Sequence, residues 1–113
     1  MRVLVVDDHA DIGTLLGVWL RSAGHDVVAA VQWSPDLEGG GPYDAALVDL
    51  HLGAVDGREV ARRLERAGLA PSRIAFMTSE SGAALGSRRV FVKPFTLAEV
   101  SGWLRALGGT DSA

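Results

Sequence analysis

The chain has 113 residues, 48% of them hydrophobic, which is enough to form one folded domain with an apolar core. Its formal net charge of −3 does not provide a basic surface for DNA or RNA, so we expect no direct nucleic-acid binding. The lack of cysteine excludes disulfides and thiolate chemistry, and no apolar run approaches the roughly 20 residues that cross a bilayer. We therefore expect a cytoplasmic protein that does not associate with membranes.

Short apolar runs predict the strands of a sheet. They span residues 3–6, 26–31, 45–49, 73–77 and 90–92. Runs that are this short and almost wholly apolar are typical of strands buried on both faces of a parallel sheet. Because stretches of helical spacing separate them, we predict an α/β fold with a doubly wound, five-stranded parallel sheet. The domain is expected to span residues 1–109, with residues 110–113 forming a frayed tail.

The signals for the helices are unequal. Asp56 and Thr96 each stand three residues before a glutamate, which predicts a capping box at the start of a helix. Ser34 and Pro35 are typical of an N-cap and a first helical residue, but glycines follow closely, so the second helix should be short. Residues 79–89 contain two glycines and one apolar anchor, so we predict that the fourth helix is short or absent.

Polar side chains follow the predicted strands at the points where the strands end. Asp7 and Asp8 follow the first strand, Asp49 ends the third, Thr78 follows the fourth and Lys93 follows the fifth. Carboxyl ends of parallel strands meet at one edge of a sheet, so these side chains should converge. Converging carboxylates repel one another, and a hard cation such as Mg²⁺ relieves that repulsion. This set suits phosphoryl transfer onto Asp49, with Lys93 neutralising charge and Thr78 donating to the product phosphate.

This combination of residues and strand order resembles the receiver domain of two-component response regulators. The residues that carry the resemblance are Asp7-Asp8, Asp49, Thr78 and Lys93-Pro94, and it extends over nearly the whole chain. It implies a flavodoxin-like (βα)5 fold in which Asp49 is the phosphoacceptor. It further implies that the phosphoryl group comes from a histidine kinase or a histidine phosphotransfer protein, with Mg²⁺ as cofactor.

The resemblance also implies roles for individual residues. Asp8, Asp49 and the backbone carbonyl of His51 would ligate Mg²⁺, and Asp7 would act through water. The peptide bond before Pro94 would be cis. We predict in addition that the side chains of His51 and Glu80 flank the path of an attacking water and tune dephosphorylation.

The chain departs from the family pattern in three places. Only 93 − 78 = 15 positions separate Thr78 from Lys93, fewer than receivers usually have. Val90 stands at the switch position, where an aromatic ring is usual, and Gly53 stands where a proline is common. The first two departures alter the usual output surface and leave the phosphorylation site intact. We hypothesise that phosphorylation acts by ordering residues 79–89.

Other residues with possible functional chemistry receive simpler interpretations. The three histidines show no ligand spacing, and His9 and His25 are expected to be turn residues rather than metal ligands. Trp33, beside the short helix, is expected to pack, with an exposed partner surface as the alternative.

Several functional alternatives stay open on the sequence alone. The chain could be a pseudo-receiver that acts as a phosphorylation-independent interaction module, or the receiver of a larger DNA-binding regulator or hybrid kinase. A Mg²⁺-dependent phosphatase usually carries an Asp-x-Asp pair, whereas this chain has the adjacent pair Asp7-Asp8. We therefore expect no enzyme beyond slow self-phosphorylation from small donors and self-dephosphorylation. A homodimer is also left open.

Overall fold

The fold was analysed in a computed structural model that describes residues 1–79 and 88–108. The strands are β1 (Arg2–Val6), β2 (Asp26–Ala30), β3 (Ala45–Asp49), β4 (His51–Leu52), β5 (Val55–Asp56), β6 (Ile74–Thr78) and β7 (Arg89–Val92). The helices are α1 (Ala10–Ser22), α2 (Pro35–Gly39), α3 (Gly57–Arg66) and α4 (Leu97–Ala106), with a 3₁₀ turn at Pro71–Arg73. None of the helices in the described ranges is long and apolar enough to cross a membrane.

The main sheet confirms the predicted five-stranded parallel architecture. Its strand order is β2-β1-β3-β6-β7, and every neighbouring pair runs parallel. The strand β3 is therefore central, with β1 on one side and β6 on the other. All five of its residues are buried, which explains the nearly unbroken apolar run that predicted it.

The two faces of the sheet pack against different helices. Val3 and Val5 of β1 belong to a core cluster that includes residues of α1 and α4, whereas Leu4 and Val6 belong to a cluster that includes residues of α3. The same alternation places Phe91 in the first cluster and Val90 against the second, as the two-residue period of a strand predicts. The sheet is thus covered by helices on both faces.

The ends of the helices test the capping predictions. Thr96 and Glu99 form the predicted reciprocal capping box at the start of α4. Asp56 caps α3 by accepting a hydrogen bond from the backbone N–H of Arg58. The predicted reach of Glu59 back to Asp56 is wrong, because the Glu59 carboxylate instead accepts hydrogen bonds from Arg62 one turn later. A charged guanidinium at this spacing is a stronger partner than a neutral backbone N–H.

The segment from residue 34 to residue 56 contains one confirmed prediction and one element that was not predicted. The helix α2 is short and starts at Pro35 as predicted, although the Ser34 side chain makes no cap hydrogen bond. The strands β4 and β5 form a small antiparallel hairpin directly after Asp49. Gly53 lies in its turn with a φ of 69°, a left-handed conformation that glycine adopts without strain.

Some predictions concern residues outside the described ranges. These are the short or absent fourth helix and the ordering hypothesis within residues 79–89, the role of Glu80, and the frayed tail at 110–113 together with the domain end at residue 109.

Candidate functional site

The carboxyl edge of the sheet brings together acidic and basic side chains from three strand ends. Asp49 is the last residue of β3, Asp7 directly follows β1, and Lys93 directly follows β7. The Asp49 side chain is only 5% exposed and that of Asp7 is fully buried. The sequence predicted this convergence from the rule that parallel strands end at a common edge.

The lysine lies between the two buried carboxylates. Lys93 Nζ is 3.0 Å from Asp7 Oδ2 and 3.4 Å from Asp49 Oδ2, and its side chain is 16% exposed. Among the described residues no group makes a hydrogen bond to the buried Asp7 Oδ2, so the ammonium is its ion-pair partner without hydrogen-bond geometry. One ammonium group therefore lies against two carboxylates that are both removed from water.

His9 joins this cluster, although the sequence analysis expected a simple turn residue. Its Nδ1 lies 3.2 Å from Asp7 Oδ1, 3.1 Å from Asp8 Oδ1 and 3.9 Å from Asp49 Oδ2. His9 also precedes α1 as its N-cap residue. The approach of His9 to the carboxylates was not predicted, because ligand spacing was sought within the sequence, whereas the neighbours of the ring are the adjacent Asp7-Asp8 pair and a distant strand end.

The environment of Asp49 disfavours its charged form. Burial raises the pKa of the Asp49 carboxyl above its ordinary value of 3.8, and the nearby charge of Asp7 raises that pKa further. Two interactions act in the opposite direction and do not cancel this effect: the His51 backbone N–H, 3.1 Å from Asp49 Oδ1, and the ammonium of Lys93. Asp49 is therefore a carboxylate that an additional positive charge would stabilise.

The donor atoms of the cluster fit a divalent cation. Asp7, Asp8, His9 and Asp49 each offer one ligand atom, and these atoms all lie within 4.8 Å of one another. Carboxylate oxygens are the donors that Mg²⁺ prefers, and the single ammonium of Lys93 does not balance the three carboxylates of the cluster. An open cavity of about 340 Å³, lined in part by Asp49, His51 and Ser79, connects this cluster with solvent.

Comparison with known proteins identifies the family. The transcriptional regulatory protein TcrA of Mycobacterium tuberculosis is 35% identical over 115 residues, which cover 95% of this chain and 46% of that protein. The transcriptional regulatory protein QseB of Escherichia coli is 32% identical and is covered over 52% of its length. The chain thus spans about half the length of the curated relatives it matches. No protein-family model matches the chain.

Solved structures show the same fold over nearly the full length of both chains. A two-component response regulator from Clostridium difficile superimposes with a TM-score of 0.82 at 20% identity, covering 95% of this chain and 94% of that one. The response regulator TrrA of Thermotoga maritima, solved in complex with Mg²⁺-BeF, has a TM-score of 0.78 and 27% identity, with coverages of 94% and 97%. The chain is a response-regulator receiver domain.

The receiver domain contains further predicted site residues around Asp49. Thr78 is buried at the end of β6, and its carbonyl accepts a 2.7 Å hydrogen bond from the Lys93 backbone N–H. The peptide bond between Lys93 and Pro94 is cis. Val90 is partly buried on the α3 side of the sheet. The structure therefore brings Asp7, Asp8, Asp49 and Lys93 together, while the roles of Thr78 and of the His51 carbonyl stay predictions.

Gly57 is a structural residue of this receiver domain that was not among the predicted site residues. Its backbone N–H donates to Leu50 O at 2.9 Å, and a Cβ atom added at Gly57 would lie 2.3 Å from Asp49 O. The start of α3 consequently packs directly on the backbone of the phosphoacceptor position predicted for the family. The Asp56-Gly57 dipeptide was a usable signal, because glycine is favoured where two backbones approach closely.

Proposed function

We propose that this receiver domain is a phosphoacceptor that works in the cytoplasm, and that Asp49 receives the phosphoryl group of a histidine kinase or a histidine phosphotransfer protein. The observation that supports it most is the position of Asp49. It is a buried carboxylate on the central strand, beside the ammonium of Lys93, and a cavity gives access to it. The backbone of such a carboxylate is fixed, and its neighbours orient the oxygen that attacks the phosphorus. Positioning of the nucleophile in this way is the main requirement of phosphoryl transfer.

The chain's own groups orient and neutralise the reacting atoms. The His51 backbone N–H binds Asp49 Oδ1, and Lys93 lies on the side of Asp49 Oδ2. The ammonium of Lys93 would neutralise oxygens of the transferring group, since it is released from Asp49 as that carboxylate becomes an acyl phosphate. Thr78, at the neighbouring strand end, would donate a hydrogen bond to the product phosphate.

The acidic residues would hold Mg²⁺ as the cofactor. Asp8, Asp49 and the His51 carbonyl are the proposed direct ligands, and Asp7 would bind through water. When bound, Mg²⁺ supplies positive charge that offsets both the carboxylate repulsion and the charge on the phosphoryl oxygens. The exposed side chain of His51 would tune dephosphorylation, as would Glu80, which lies outside the described residues.

The output of the domain is a change in protein–protein contacts. The first curated relatives are named as transcriptional regulators and are about twice as long as the stretch they share with this chain. We therefore favour the receiver of a larger regulator over a free-standing signalling domain. As part of a larger regulator or as a free-standing domain, the receiver would control the activity of its partner through its phosphorylation state. The receiver itself would not contact DNA. Its only chemistry would be slow self-phosphorylation from small donors and self-dephosphorylation.

Labelling with a small phosphodonor tests the proposal. The protein is incubated with acetyl phosphate and Mg²⁺, and its intact mass is measured. One added phosphoryl group is expected in the wild type and in Asp36→Asn, a control at an exposed aspartate in α2, and none in Asp49→Asn. A labelled Asp49→Asn protein would contradict the assignment of the acceptor. A wild type that neither acetyl phosphate nor any histidine kinase labels would favour the pseudo-receiver.

A further inference from the structure

His9 is held at the acidic cluster by its backbone and by its imidazole, whose Nδ1 lies within hydrogen-bond distance of Asp7 Oδ1 at 3.2 Å. The His9 N–H donates to Asp7 Oδ1 at 2.8 Å, and the His9 carbonyl accepts the first hydrogen bond of α1, from Ile12 N at 3.1 Å. The imidazole makes no cap hydrogen bond to the helix. The polar contacts of the ring are therefore with the carboxylates and not with the backbone of α1.

The distances around His9 Nδ1 match those between ligands of one metal ion. Two donor atoms that each lie about 2.1 Å from a common ion are at most about 4.2 Å apart. Nδ1 is 3.2 Å from the nearest oxygen of Asp7, 3.1 Å from that of Asp8 and 3.9 Å from that of Asp49, so all three distances fall below this limit. An ion placed among these oxygens would find the imidazole nitrogen within coordination distance after small side-chain rotations.

A second observation shows that the cluster has unused binding capacity. Asp7 Oδ2 is buried, and among the described residues it receives no hydrogen bond. Its neighbour is the ammonium of Lys93 at 3.0 Å, which also lies 3.4 Å from Asp49 Oδ2, so one positive charge faces two buried carboxylates and a second cation would offset the remaining negative charge. The cluster therefore has the character of a ligand site and is more than a group of surface acids.

The chemistry of an imidazole differs from that of the carboxylates beside it. Carboxylate, carbonyl and water oxygens suit Mg²⁺, whereas imidazole nitrogen suits Zn²⁺ and other late first-row divalent ions, which also bind mixed nitrogen and oxygen sites more tightly. We infer that His9 is a ligand of the divalent cation in this receiver domain and that it shifts the selectivity of the site towards Zn²⁺. A Zn²⁺ ion bound in this way uses the same carboxylates as Mg²⁺ and therefore competes with it. This inference rests on the metal site of the proposed function.

Calorimetric titration of the metal-free protein tests the inference without a measurement of phosphorylation. Mg²⁺ and Zn²⁺ are titrated separately into the wild type, His9→Ala and His25→Ala. His25→Ala is the matched control, because it also removes one histidine but not at the cluster. The Nδ1 of His25 lies 3.2 Å from the amino-terminal nitrogen of Met1. We expect His9→Ala to weaken Zn²⁺ binding on the order of tenfold or more while Mg²⁺ binding changes much less. His25→Ala should leave both affinities unchanged.

A spectroscopic measurement identifies the nitrogen directly. In nitrogen-15 spectra of the histidine rings, Zn²⁺ should shift the His9 Nδ1 resonance, and Mg²⁺ should leave it at the position of the metal-free protein. Equal loss of Zn²⁺ and Mg²⁺ affinity in His9→Ala, or no loss of either, would overturn the inference.

The results that would contradict the proposed function differ from those that would contradict the role of His9. If Asp8→Asn does not weaken Mg²⁺ binding, or if the wild type does not bind Mg²⁺, the metal site of the proposed function is wrong. If Mg²⁺ binding depends on Asp8 but Zn²⁺ binding does not depend on His9, only the role of His9 is refuted. Circular dichroism of His9→Ala verifies that α1 is retained.

Discussion

The two edges of the parallel sheet use charge in opposite ways. At the amino edge, the Arg2 side chain donates to Gly40 O at 3.0 Å and 2.8 Å, forms an ion pair with Asp26 and lies over the Tyr43 ring. At the carboxyl edge, the ammonium of Lys93 faces the buried carboxylates of Asp7 and Asp49, with Asp8 and His9 beside them. At the amino edge, the guanidinium of Arg2 is therefore bound by acceptors of the protein. At the carboxyl edge, the carboxylates of this cluster outnumber its positively charged groups.

A second arginine continues the pattern at the amino edge. Arg73 donates through Nη1 to Asp44 O at 3.0 Å and through Nη2 to Leu107 O at 3.2 Å. It thereby joins the start of β3 to the end of α4. The amino edge is thus built for cohesion of the fold. At the carboxyl edge one ammonium faces two buried carboxylates, which should reduce the stability of the fold, a pattern expected where function requires an unsatisfied site.

Of the substitutions that test the difference between the two edges, Gly57→Ala at the carboxyl edge should change the free energy of unfolding most. The new Cβ would lie 2.3 Å from Asp49 O and 2.8 Å from Leu50 Cα, both backbone atoms that cannot rotate away. We expect the free energy of unfolding to fall by about 3 kcal/mol, because either β3 or the start of α3 must shift. Urea denaturation followed by circular dichroism measures this loss.

Gly102→Ala is the matched control for that substitution. Gly102 lies in α4, and an added Cβ there would meet no atom within 4 Å. Because alanine is the better helix former, this variant should be more stable than the wild type by about 0.5–1 kcal/mol. Two glycine-to-alanine changes with effects of the same sign would contradict the close packing of α3 on Asp49.

An intermediate effect is expected from Arg2→Met at the amino edge. Methionine retains much of the apolar stem but removes the donors to Gly40 O and the partner of Asp26. We expect a loss of about 1–2 kcal/mol in the free energy of unfolding, because a partly buried carbonyl loses charged donors. The same assay measures it.

The control is Arg62→Met on the exposed face of α3, where the arginine pairs with Glu59 in the preceding turn. It should lower stability by about 0.5 kcal/mol or less. If both arginine variants cost the same, the amino edge has no special cohesive role.

The smallest effect concerns the pH dependence of stability at the carboxyl edge. Burial and the charge of Asp7 raise the pKa of Asp49 above 3.8, so ionised Asp49 destabilises the fold. The penalty is complete above the folded-state pKa and disappears as the pH falls towards 3.8. Without metal, Asp49→Asn should therefore melt a few degrees above the wild type at pH 7, and the difference should shrink as the pH is lowered towards 4. A difference that stays constant over this range would show that the charge of Asp49 carries no penalty.

The fold could be predicted because its signals are local. Each strand of the main sheet is a short apolar run, and each confirmed cap depends on residues within one turn. The hairpin of β4 and β5 was missed because each of its strands has only two residues and no alternation to detect. The hydrogen bond from the Asp56 backbone N–H to the Glu59 carboxylate was wrongly predicted. The guanidinium of Arg62, one turn later, competes for the same carboxylate and binds it instead.

The site could be predicted in part because strand ends of a parallel sheet meet at one edge. That rule located Asp7, Asp8, Asp49 and Lys93 without any knowledge of distances. It did not locate His9, since nothing in its sequence neighbours indicates which way the ring turns. Nor did it indicate Gly57, because a close approach of two backbones depends on where α3 starts relative to β3.

The central position of β3 has a consequence for measurements of amide hydrogen exchange. Its residues are all buried and it is hydrogen-bonded to β1 and β6, so its amides can meet solvent only when the sheet as a whole opens. The exchange rates of residues 46–49 should therefore report the global free energy of unfolding. If Asp49 is phosphorylated as proposed, we expect the signal to leave without a shift of the β3 backbone. Any conformational response must consequently begin in side chains and loops around Asp49, while β3 remains the fixed reference.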